Sequence, residues 1–339
     1  VTCDVPADAG LTGADASGSS LFNVYDYTLT SEADLQVDVG VQAFGLRVKL
    51  QSLDGSGDIG DAGGPGVDGS TISITNFGDM DVSGANGGST TETFVAIHAE
   101  AVGGRGADAP DAGMDGGRGG DGGYLTVVNN GAITLDAAVG DVVDANIHGI
   151  FVRSYAGEGG AQDSSTFGLG DQVGGNSGDA KDSIVENHGD IIFGAADDPM
   201  TVKVGANAIH VNAQGNKGGP DNGEGGSGGT VQVTNDAGIF LYLAPVEAFD
   251  GSVAGIFARS WGGDGVASND NSDDGGRGEE GRPVKVVNSG AIYVETTRPL
   301  GWGAEDGDFS AGIYAISLGG DGGRSANDST GGAGGGASQ

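Results

Sequence analysis

Acidic side chains are the first residues here whose type and spacing could do chemistry. Asp68, Asp121, Asp179 and Glu280 each stand eight residues before an asparagine that closes an alternating apolar segment, and Ser227 holds the same place once. Gly63-Gly64-Pro65-Gly66-Val67-Asp68 and Gly116-Gly117-Arg118-Gly119-Gly120-Asp121 match the start of the calcium-binding GGxGxD pattern. Carboxylates held in register repel. A hard divalent cation such as calcium, its shell completed by backbone carbonyls, is one way to relieve that. The other reading is that the acidic loops are simply solvated. Aromatic residues form a second set. Phe151, Phe257 and Tyr314 recur at one place in the repeat, and Tyr155 and Trp261 recur four residues on. An outward aromatic ladder binds glycans or proteins, unless the loop that follows each strand folds over it. His98 and His210 share the column of Phe151, and no serine or cysteine nucleophile pattern stands near them. Asp197-Asp198 and Asp273-Asp274 are paired carboxylates of the type polysaccharide-cleaving enzymes use. In a chain this acidic such pairs are expected without catalysis, and the reading is non-enzymatic, with no catalytic residue assigned.

These residues sit on an internal repeat of about 53 residues. A first segment, strand A, occurs six times, as in His148-Gly149-Ile150-Phe151-Val152 and Ala254-Gly255-Ile256-Phe257-Ala258. A second, strand B, ends in Asn76, Asn129, Asn187, Asn235 or Asn288, with separations of 53, 58, 48 and 53 residues. A short turn with glycine leads to strand C, as in Gly131-Ala132-Ile133-Thr134-Leu135. Alternation with period two predicts one buried and one outward face. Leu46, Ile97, Ile150, Ile209, Ile256 and Ile313 fill a core column of strand A. Three short strands per repeat predict an all-β chain: a right-handed parallel β-helix, or β-solenoid, of about six repeats with long Gly/Asp-rich loops. Two coils per repeat is the alternative, because Thr201-Val202-Lys203-Val204 reads as an extra strand. The five asparagines read as a structural ladder. Asparagine tolerates the left-handed backbone of a tight corner, and stacked side chains can hydrogen-bond along the axis. The Gly-Gly-x spacing of the loops allows polyproline-like packing. Residues 1–40 read as an N-terminal cap or arm with two strand-like segments. Residues 41–339 read as the repeat domain, its last repeat incomplete. That leaves either a piece of a longer rod or a subunit completed by the next copy.

Composition narrows the classes. Of 339 residues 72 are glycine, and 48 acidic against 14 basic residues give a formal charge of −34. Low hydrophobicity with high charge is the mark of disorder unless the apolar residues are regularly placed, and here they are. A lone cysteine, Cys3, excludes an internal disulfide and a Cys-rich zinc site, leaving an intermolecular bridge or an inert thiol. The negative field disfavours nucleic acid as a partner. No apolar run is long enough for a transmembrane helix, there is no collagen triplet period, and no Thr-x-Thr ladder suits ice.

The run 254–265, Ala-Gly-Ile-Phe-Ala-Arg-Ser-Trp-Gly-Gly-Asp-Gly, followed by Val-Lys-Val-Val-Asn-Ser-Gly-Ala-Ile-Tyr-Val at 284–294, resembles the glycine-rich repeats in passenger regions of large bacterial autotransporters. Residues 311–323 and 148–160 repeat the pattern, and the resemblance spans about residues 41–339. It implies secretion, a β-helical stalk and a role in adhesion or surface structure, although the translocating barrel of that family is not in this chain. The sequence therefore predicts an extracellular or bacterial cell-surface protein, an adhesive or structural stalk. Its expected partner is itself, end to end or laterally, or a host or matrix surface glycan or protein. A self-assembling head-to-tail filament subunit and a polysaccharide-active β-helix enzyme are the alternatives. No cofactor beyond calcium is implied.

Overall fold

The computed structural model describes residues 2–5, 14–17, 26–31, 35–39, 43–56, 63–84, 93–109, 114–137, 142–143, 146–162, 174–220, 222–267, 275–297, 309–324 and 332–337. Among them every regular element is a strand, and every strand pair is parallel.

The B segments are β1 (Thr2–Val5), β3 (Asp26–Ser31), β6 (Thr71–Asn76), β9 (Leu125–Asn129), β13 (Ser183–Asn187), β16 (Val231–Asn235) and β18 (Val284–Asn288). They pair in that order as one seven-stranded sheet. The C segments are β4 (Leu35–Val39), β7 (Met80–Gly84), β10 (Ile133–Asp136), β14 (Ile191–Phe193) and β19 (Ile292–Thr296). The A segments are β2 (Ala14–Ser17), β5 (Ala43–Gln51), β8 (Thr93–Val102), β12 (Asn146–Tyr155), β15 (Met200–Gln214) and β20 (Phe309–Leu318), with the two-residue β11 (Val142–Val143) beside β15. One strand, β17 (Ile239–Trp261), belongs to both sets.

This corrects the expected right-handed, three-sided β-helix. The A and C segments are not separate faces. They form a single curled sheet of thirteen strands, ten of them ordered β2-β5-β8-β12-β15-β17-β14-β10-β7-β4, with β11 beside β15 and both β19 and β20 beside β17, so the molecule is built on two parallel sheets. All-parallel sheets are otherwise the habit of α/β folds, but no helix covers these among the described residues. The physical reason lies in one C-to-A connection, that within β17, which bends instead of breaking and so joins the two sets. The first part of β17 pairs with β14 and the rest with β15. Register shifts between Val202 and Val204, and between Val204 and Ala206, take up the bend. Gly251, at φ 139, supplies a backbone conformation that other residues avoid. The extra strand read at 201–204 is the start of β15.

Strands stack because each column is apolar. Leu46, Ile97, Ile150, Ile209 and Ile256 are all fully buried. Ile72, Leu125, Val231 and, out of character, Ser183 share a column of the seven-stranded sheet. The corner between the two sheets is held by asparagine. The Nδ2 of Asn76, Asn129, Asn187 and Asn235 each donates to the Oδ1 of the next asparagine, at 2.7–2.8 Å. The same Nδ2 groups also donate to the carbonyl two residues on. None of the five is left-handed; Asn222 is the one non-glycine with positive φ among the described residues. Side-chain hydrogen bonding, not backbone tolerance, therefore selects asparagine at this corner. Ser31 stands in register with Asn76, so the ladder starts at Asn76, whose Oδ1 has no donor.

The glycine loops stack as well. The N–H groups of Gly103, Gly106 and Ala109 donate to Tyr155, Glu158 and Ala161 of the next repeat. Those of Gly104 and Ala107 donate the other way, to Val67 and Gly64. Partners that recur every third residue are the mark of a polyproline-II-like chain with three residues per turn. Here extended segments lie side by side and hydrogen-bond sideways. Gly117 and Gly120 donate to Ala107 and Gly104, and Gly157 and Gly160 to Gly120 and Gly117. A Cβ on Gly104, Gly120 or Gly157 would overlap a neighbouring carbonyl oxygen. Glycine is required for close approach: of the described glycines only Gly194 and Gly251 have positive φ.

Residues 26–39 carry β3 and β4, which pair with β6 and β7 and so continue both sheets.

Candidate functional site

The outward face of the A strands and the acidic loops hold the candidate residues. On the A strands, register places Arg47, His98, Phe151, His210, Phe257 and Tyr314 side by side. Consecutive rings touch, with His98–Phe151 centroids 5.0 Å apart, Phe151–His210 5.1 Å, His210–Phe257 4.6 Å and Phe257–Tyr314 5.2 Å. The rings therefore form one column, in which His98 and His210 alternate with Phe151 and Phe257 and Tyr314 follows. Phe151, Tyr155, Trp261 and Tyr314 are half-buried and Phe257 is buried, so the face is neither bare nor sealed.

Two residues along, the neighbouring column reads Lys49, Glu100, Arg153, Asn212, Arg259 and Ile316. The sequence does not mark this column, because each of its polar members looks like a lone polar residue on a strand. Only the register reveals them as neighbours. Glu100 is the hub: Lys49 Nζ lies 3.1 Å, His98 Nε2 3.2 Å and Arg153 3.7 Å from its carboxylate. Burial pushes the Glu100 carboxyl up, but the hydrogen bond from His98 and the charge of Lys49 outweigh it and hold it at about 2. Arg259 donates to Asn212 Oδ1 at 3.2 Å, and burial and the charge of Arg153 lower it from its ordinary value. Arg153 stacks 4.4 Å over the ring of Tyr155, and Arg259 4.7 Å over Trp261.

The aspartates suggested for calcium accept backbone N–H groups in the structure. Asp68 Oδ1 accepts the N–H of Asp121, Asp121 accepts that of Asp179, and Asp179 accepts that of Ser227, at 2.8–3.0 Å. Each carboxylate thus caps the equivalent residue of the next repeat. Asp108 to Ala161, Asp264 to Asp321 and Asp79 to Ala132 follow the same rule. Asp121 is further bound by Lys181 Nζ and by Arg118. Burial works against its ionisation, but these cations hold its carboxyl below the ordinary value. Glu280 is outside this ladder and faces Arg282 at 3.1 Å. Among the described residues no group of three or more His, Cys, Asp or Glu converges as a metal cage.

Asp197 and Asp198 lie in the short turn after β14, where the backbones of Ala195 and Asp198 bond to each other. Asp273-Asp274 lie outside the described residues. Cys3 falls in β1, in register with Leu29. Among the described residues no helix is long and apolar enough to cross a membrane. Set against family models, curated proteins and solved structures, this chain matches none.

Proposed function

We propose that this chain is a non-enzymatic structural and adhesive stalk segment displayed outside the cell, at a bacterial surface. The observation that carries this reading is the unbroken axial asparagine ladder from Asn76 to Asn288. In parallel sheets stacked this way, backbone hydrogen bonds run along the stack. The asparagine ladder, the carboxylate caps and the glycine layer add three more sets of bonds in the same direction. A pull along the axis is therefore shared among many bonds in each repeat. Such a body resists extension without any moving part. The charge of −34 keeps neighbouring copies apart and soluble. The resemblance to autotransporter passenger repeats supports display at the surface.

Negative-stain microscopy of the purified chain tests this. Short, single, straight rods are the expected result. Irregular, collapsed particles would overturn the stalk reading. Long uniform fibres would replace it with a self-assembling filament.

A further inference from the structure

The A-strand face carries a period of two repeats that the repeat itself does not require. β12 presents Phe151, Arg153 and Tyr155 outward, and β17 presents Phe257, Arg259 and Trp261 at the same register positions. The strand between them, β15, offers His210, Asn212 and Gln214 instead. The two sets share their supports as well as their types. Ser154 Oγ accepts the N–H of Lys181, and Ser260 Oγ accepts the N–H of Arg282. In both, the guanidinium carbon stands over the aromatic ring, 4.4 and 4.7 Å from its centroid. Adjacent strands are about 4.8 Å apart, so the two sets repeat at roughly 10 Å.

Charge on this face opposes that of the whole chain. Its three outward columns hold Arg47, Lys49, Arg153 and Arg259 against a single carboxylate, Glu100, while the chain carries −34. The Arg153 side chain is 35% exposed, and its Nη1 lies 3.7 Å from Glu100, beyond hydrogen-bond distance. Arg259 has no carboxylate within ion-pair distance among the described residues, its partner being the neutral Asn212. Each guanidinium therefore keeps donors for an anion, beside a ring that suits the C–H face of a sugar.

We propose that these two sets are equivalent subsites for one extended acidic polysaccharide lying along the stack, with a carboxylate on every second sugar. The two-strand spacing is close to the advance of one extended disaccharide. Arg153 and Arg259 take successive carboxylates, and Tyr155 and Trp261 stack on the sugars that carry them. This names the partner of the adhesive surface proposed above and rests on that reading.

The test is binding of the full chain to hyaluronan, which has a uronate on alternate sugars, beside polygalacturonate and neutral dextran. Hyaluronan is expected to bind tightest and dextran not at all. Arg153→Gln and Arg259→Gln together should weaken hyaluronan binding at least tenfold, with an unchanged melting temperature. Arg153→Lys with Arg259→Lys, which keeps charge but loses the fork, should recover only part of it. Should the double Gln variant not fold, Tyr155→Ala with Trp261→Ala reads the same site. No hyaluronan binding by the native chain, equal binding by the variants, or equal binding of dextran overturns the proposal. Equally tight polygalacturonate overturns the alternate spacing. Preference for an acidic peptide or a nucleic acid overturns the polysaccharide class. Rods that ignore hyaluronan refute this inference alone, whereas collapsed particles refute the stalk.

Discussion

The ring of His148 stands edge-on to that of His210, with centroids 4.9 Å apart and planes at 87°. His148 is buried, and His210 stands in the outward A-strand column near Arg153 and Arg259, so protonating either is costly. Burial, then the charge of His98, depresses His148 to about 3, against a donation toward Asn207 that raises it. Burial and the neighbouring His148, Arg259 and Arg153 push His210 well down. Burial also lowers His98, although Glu100 pulls it up and Arg47 and Lys49 add to the lowering.

Acid should therefore weaken the fold. A histidine whose folded value is lowered binds fewer protons than in the unfolded chain, so its stability is complete above 6.5. It is lost as pH falls from there toward 3. At about 1.4 kcal/mol per unit, His148 alone accounts for a few kcal/mol. Melting temperatures between pH 7 and pH 4 should fall steadily, and His148→Phe should flatten much of the slope. A flat native profile would mean that water reaches these rings.

Removing one rung of the asparagine ladder should be costly at mid-stack. In Asn187→Ala the Oδ1 of Asn235 and the carbonyl of Gly189 lose their Asn187 donor, and the Nδ2 of Asn129 loses one of its two acceptors. Buried, unmet polar groups cost about 1–3 kcal/mol each. Urea unfolding should show a loss of roughly 2–4 kcal/mol for Asn187→Ala. Asn288→Ala, at a partly buried rung, should lose less. Equal losses at the two sites would show that the ladder is not cooperative.

Ser183 interrupts an otherwise aliphatic column, and its Oγ is buried without a hydrogen-bond partner. Ser183→Val restores the chemistry of its neighbours Leu125 and Val231. It should raise stability by about 1–2 kcal/mol in the same urea experiment. A destabilised variant would show that the column has no room for the added methyl groups.

The glycine layer makes a paired prediction. In Gly157→Ala the new methyl meets the carbonyl of Gly104, which is rigid backbone. The loss should be about 1–3 kcal/mol or more. Gly312→Ala finds its nearest atom, on Ile292, at 3.8 Å and should be nearly neutral. If both variants melt like the native chain, the stacked loops do not contribute to the fold.

The periodic part of the protein was legible in its sequence. The spacing of the asparagines named the ladder, and alternation around Ile97, Ile150 and Ile209 named the core column, because side-chain direction in a strand follows residue parity alone. The Gly-Gly-x spacing of the loops allowed the three-residue period seen in their hydrogen bonds. Tertiary structure decided the rest. Whether the C and A segments break or bend depends on bulges near Val204 and on Gly251, which leave no periodic trace. Asp68, Asp121 and Asp179 cap N–H groups one repeat away, a partner 48 to 58 residues distant in the chain that no local pattern names. The Lys49–Glu100–Arg153–Asn212–Arg259 column exists only through inter-strand register. A sequence fixes which way each side chain points along its own strand; only stacking decides which side chains from other strands lie beside it.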